Sequence, residues 1–118
     1  AAARGFARTW GSGLPWETLP EEQRAYMTQR MPLIEGAGHA LNADTTGLFR
    51  PGVLEALDLP VLLIRGTASP PAVPAILRVL AERLPHAETV VIEGAGHMVP
   101  ITHPEPVAQA IRGHIIRT

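Results

Sequence analysis

The 118-residue chain carries ten basic and eleven acidic side chains, five histidines and no cysteine. A net charge of −1, with no run of either sign, argues against nucleic acid or an anionic membrane as partner, and the lack of thiols excludes disulfides, a thiolate nucleophile and cysteine-type metal sites. No apolar stretch approaches the roughly 20 residues that span a bilayer, and Ala1-Ala2-Ala3-Arg4 leads into no signal-type segment, so the expectation is a soluble, cytoplasmic protein.

Phe6 to Trp10 reads as the end of a helix closed by Gly11-Ser12-Gly13. Thr18-Leu19-Pro20-Glu21 fits a capping box with proline in the first turn, which predicts a helix from Pro20 to Met31 with Tyr26, Met27, Arg30 and Met31 on its buried side. From Glu35 to Pro51 the composition is that of a loop with a short helix at most, and Gly52 to Leu57 adds one turn.

After Pro60 the pattern sharpens. Val61-Leu62-Leu63-Ile64 is an apolar run of strand length, suited to a parallel strand covered on both faces. A helix follows from Ala72 to Leu84, with Val73, Ile76, Leu77, Leu80 and Leu84 at helical spacing and Pro85 as its stop. Thr89-Val90-Val91-Ile92 is a second strand, Gly94 to Thr102 a loop, and Thr102 with Glu105 forms another capping-box signature. The last helix then runs to Ile116 with Val107, Ile111 and Ile115 on one side. Strand, helix, strand and helix make a crossover unit with two parallel strands. Two such strands are too few for a stable sheet, and the first has an edge suited to another strand. The expected architecture is therefore α/β, with residues 1–59 a helical region and linker and residues 60–118 a β-α-β-α unit.

The order Pro60-Val61-Leu62-Leu63-Ile64-Arg65-Gly66, Gly94-Ala95-Gly96-His97, Pro104-Glu105-Pro106-Val107 resembles the end of α/β-hydrolase-fold enzymes. The resemblance implies a C-terminal fragment of that fold, in which the last strand feeds a loop presenting the catalytic histidine, His97. Trp10, Trp16, Leu19-Pro20 and the helix after them are similar to the tail of the cap that many members insert before the last two strands. A general base must reach its proton donor at hydrogen-bond distance, which suits a histidine on a loop at the sheet's C-terminal edge.

The nucleophile that the resemblance calls for, in a Gly-x-Ser-x-Gly elbow, does not occur: Gly11-Ser12-Gly13 has the wrong spacing. Where many members carry an aspartate beyond the penultimate strand, this chain has Gly66-Thr67-Ala68-Ser69-Pro70-Pro71, and Ser69 cannot hold an imidazolium by charge. Other members supply the acid after an earlier strand, which here would lie in a preceding segment of the same fold. Asp44 and Asp58 read as surface or capping residues.

Ile34-Glu35-Gly36-Ala37-Gly38-His39 repeats as Ile92-Glu93-Gly94-Ala95-Gly96-His97. The first copy lacks the preceding strand and the following Pro-Glu helix, so His39 is expected on a loop or pocket wall. A metal site of His39, His97 and Asp44 has no ligand pair at helical spacing to support it, and neither a metal nor a cofactor is expected. His86, His103 and His114 fall at a helix end, a helix start and a helix face. The leading functional expectation is a hydrolase segment acting on a small-molecule substrate, with a tendency to self-associate when isolated and no activity alone. The alternative is a non-catalytic binding or interaction module derived from a degenerate hydrolase. A nucleotide-binding half ranks last, because no phosphate loop follows either strand.

Overall fold

The apolar run after Pro60 does become a strand. In the computed structural model, which describes residues 1–118, β1 (Val61–Gly66) lies parallel to β2 (Ala87–Ile92), in a register that pairs Val61 with Ala87 and Gly66 with Ile92. The connecting α3 (Ala72–Arg83) packs on both strands of this crossover unit, as does α5 (Pro104–Arg117). Its core is small: Ile92, Ala95, Val99 and Val107 are buried together, with Ile64 and Val90 packed against them. β1 has no neighbour on its second side.

Along α5 the side turned inward differs from the expected stripe. Val107 is buried and Ala110 and His114 are half-buried, whereas Ile111, Ile115 and Ile116 are exposed. Spacing of three and four residues is kept, but small and polar side chains occupy the sheet-facing line, where His114 Nδ1 meets Glu88 Oε2 at 3.2 Å and Arg117 pairs with the same carboxylate. These partners, Arg117 first, hold the Glu88 carboxyl below the usual carboxylate range.

The front of the chain is helical. α1 (Ala2–Trp10) buries Ala3 and Ala7 and is followed by a 3₁₀ turn at Trp16–Thr18, to which an Arg4–Glu17 ion pair ties it. The long α2 (Glu21–Ala43) packs on α1. Three expectations are corrected here. Pro32 lies inside α2 and does not end it; helix-forming Ala37, Ala40 and Leu41 carry the helix to Asp44, which closes it in the left-handed region at φ 45° and ψ 51°. The expected loop from Glu35 is thus mostly helix. The half-buried line of α2 is Arg24, Met27, Met31 and Gly38, while Tyr26 is exposed and stacks under the Arg30 guanidinium, 3.4 Å from its ring centroid. Neither capping box forms: the Thr18 hydroxyl donates to the Pro15 carbonyl at 2.7 Å, and the Thr102 hydroxyl is within 2.8 Å of His103 Nδ1.

Turns between Asp44 and Pro60 link the two parts, with one turn at Gly52–Leu57 as expected. Arg83 anchors them to α3: its guanidinium donates to both oxygens of Glu55, at 2.7 and 3.1 Å, and to the carbonyls of Phe49 and Arg50. The same guanidinium draws the Glu55 carboxyl down to about 2. No helix is long and apolar enough to cross a membrane.

Candidate active site

The two copies of the hexapeptide separate completely. Ile34 to His39 lies within α2, with Ile34 and His39 exposed, so His39 is on a helix surface and not on the expected loop. Ile92 to His97 begins as the last residue of β2, buried opposite Gly66, and then turns, with Gly94 at φ 73°.

That turn is held at the C-terminal edge of the sheet by the loop after β1. Thr67 N–H donates to the Ile92 carbonyl at 3.0 Å, Ala68 N–H to the Ala95 carbonyl at 2.9 Å, and the Gly94 N–H to the Thr67 hydroxyl at 2.8 Å. Ala95 is wholly buried. A Cβ on Gly66 would stand 1.9 Å from the Ala95 carbonyl oxygen, so the close approach of the two loops needs a glycine there. α4 (Val99–Thr102), a short helix inside the expected loop, starts immediately after His97 and Met98 and buries Val99.

His97 projects from this clamped turn as an exposed side chain, and neither ring nitrogen makes a hydrogen bond within the chain. Its ring packs against that of Trp10, at the end of α1, in a T-shaped arrangement with centroids 4.9 Å apart and planes at 68°. Nothing in the spacing of the sequence signalled that contact. The neighbouring Met98 lines a cavity of about 600 Å³ with Phe6, Leu14, Leu19, Met27 and Ile101, between α1, α2 and α4.

The other candidates stand elsewhere. Asp44 accepts the N–H groups of Leu48 and Phe49, at 2.9 and 2.8 Å, and Asp58 faces His86 at 2.9 Å, matching the expected capping and surface roles. The Ser69 hydroxyl accepts the Gly66 N–H at 3.2 Å, within its own turn. Ser12 is an exposed turn residue on the wall of the cavity. No three His, Asp or Glu side chains converge as a metal site. An exposed imidazole on a rigid loop can take up and return a proton, but these residues place neither a nucleophile nor a carboxylate on it.

Comparison with known proteins gives the same outline. The chain is 42% identical over 113 residues to the rhodomycin D methylesterase DauP of Streptomyces sp. (strain C5), in an alignment covering 88% of this chain and 35% of that protein. The rhodomycin D methylesterase DnrP of Streptomyces peucetius matches to the same extent. The chain thus spans about a third of the length of these relatives. Among solved structures, proline iminopeptidase from Mycobacterium smegmatis superimposes with a TM-score of 0.59 at 20% identity, over 98% of this chain and 41% of that one, a likeness of fold. A family model for the alpha/beta hydrolase fold matches residues 9–104, and with that match across most of its length the chain belongs to the α/β-hydrolase family.

Proposed function

We propose that these residues are the C-terminal part of an α/β-fold hydrolase that cleaves a carboxylic ester, and that His97 is its general base. The observation that carries the reading is the presentation of His97: an exposed imidazole on a turn after β2, clamped by three hydrogen bonds to the turn after β1. The ester, and a methyl ester in particular, comes from the 42% identity to two methylesterases.

In this reading the nucleophilic hydroxyl, the oxyanion donors and the acid belong to a preceding segment of the same fold, which also pairs with the free edge of β1. Residues 1–59 are the end of a cap and a linker, and residues 60–118 the last β-α-β-α portion of the core. His97 takes the proton of the nucleophile as its oxygen attacks the ester carbonyl, then returns it to the departing alkoxide, so that the alcohol leaves and an acyl-enzyme remains. It next takes a proton from water, whose oxygen attacks the acyl carbon, and passes that proton back to the nucleophile as the acid is released.

The 118 residues alone are expected to turn over nitrophenyl acetate no faster than a histidine-containing control protein, whereas the longer protein that contains them hydrolyses carboxylic methyl esters. Saturable turnover by the 118 residues would overturn the reading. The second reading, a non-catalytic binding module, draws on Ser69, whose hydroxyl serves its own turn where many members carry an acid; a longer protein inert toward every ester tested would favour it.

A further inference from the structure

The contact between Trp10 and His97 joins two parts of the chain that are far apart in sequence, and His97 makes no hydrogen bond within these residues. The side chain is exposed, and the aromatic contact with Trp10 is what bears on its ring. The indole meets it near-perpendicular at 4.9 Å, inside the separation and angle at which the positive edge of one ring faces the negative face of another.

Trp10 is itself well placed to act as a fixed surface. It is the last residue of α1, on the same helical line as the buried Ala3 and Ala7, and it is half-buried. The chain turns away directly after it. Gly11 N–H donates to the Ala7 carbonyl at 2.8 Å, and a Cβ on Gly11 would lie 2.3 Å from that oxygen, so the tight end of α1 requires a glycine at this point. Arg4, in the first half of the same helix, is paired with Glu17 of the 3₁₀ turn.

We propose that Trp10 is a positioning residue for His97: its indole holds the imidazole in the rotamer from which a ring nitrogen can reach the nucleophile, and so couples the cap-side helix to proton transfer. The proposal rests on the reading of His97 as general base. Trp10 touches neither nucleophile nor ester in this account, and its effect passes through the imidazole alone.

The test is a double-mutant cycle in the longer, active protein, with Trp10→Phe, Trp10→Leu and His97→Ala, read as kcat and KM on a methyl ester. Trp10→Leu fills much of the volume without a ring, which separates loss of the ring from loss of packing. It is expected to lower kcat about tenfold or more with KM little changed, because small misplacements of a reacting group are costly. Trp10→Phe should recover most of the loss, and in the His97→Ala background Trp10→Leu should have no further effect. Proton NMR supplies a second readout: the His97 ring protons should move when the indole is removed and move back in part with Trp10→Phe. Equal loss from Trp10→Leu with and without His97 would overturn the proposal, since it marks a structural role, as would unchanged kcat with unmoved His97 resonances. If His97→Ala alone keeps parental kcat, the reading of His97 fails, a result distinct from failure of Trp10.

Discussion

Gly66→Ala tests whether the two loops at the sheet edge really set the position of His97. The new Cβ would lie 1.9 Å from the Ala95 carbonyl oxygen, 2.3 Å from its carbon and 2.8 Å from its Cβ. The shortest of these is roughly 1.5 Å inside an ordinary contact, and the obstructing atoms are mostly backbone, so no side-chain rotation relieves it. Either β1 or the turn must shift, and Ala95 is wholly buried, with its carbonyl accepting the Ala68 N–H. Overpacking of this kind costs about 1–3 kcal/mol and a lost hydrogen bond about 1 kcal/mol more, so a fall of about 2–4 kcal/mol in unfolding free energy is expected. Displacement of the turn should also lower kcat by up to about a hundredfold, since His97 is two residues beyond Ala95. Urea denaturation and steady-state kinetics of the longer protein measure both. Unchanged stability together with unchanged kcat would refute the argument.

The repeated hexapeptide gives opposed predictions for the same exchange. Gly36→Ala, in a helix with open space at the Cβ, should stabilise by about 0.5–1 kcal/mol, whereas Gly94→Ala, also unobstructed but at φ 73°, should destabilise by about 1 kcal/mol; thermal unfolding of both variants shows the signs. For Glu55, whose carboxyl is drawn down to about 2 from an ordinary 4.5, the stabilising effect of the Arg83 pair is present above pH 4.5 and fades as pH falls toward 2. The gap in urea midpoint between parent and Glu55→Gln should therefore be open at pH 7 and narrow in acid, and a gap independent of pH would contradict the assignment.

The sheet and its connections were legible because Val61 to Ile64 and Val90 to Ile92 are apolar runs with clear stops, and the helix between them keeps its period. α2 was legible only as far as Met31, because beyond it the local signals conflict: Pro32, Gly36 and Gly38 argue against a helix, and helix-forming Ala37, Ala40 and Leu41 argue for one. Identical residues then take two conformations, since Ile92 can pair in a ladder with Gly66 and Ile34 has no strand beside it. The six residues themselves hold no information about that difference, which lies in what flanks them. His97 was legible as the candidate base through its order after a strand and before a Pro-Glu helix. Trp10, the clamp by Thr67 and the Arg83 anchor were not, because each depends on a contact between residues distant in sequence.

The two histidines of the repeat offer the most direct test of the central claim, since their neighbours in sequence are the same and only their setting differs. In the longer protein, His97→Ala should lower kcat by about 10²- to 10⁴-fold with the unfolding midpoint little changed, while His39→Ala, on the exposed surface of α2, should leave kcat intact. Parental kcat in the His97 variant, or an equal loss in both, would contradict the assignment of His97 as the general base.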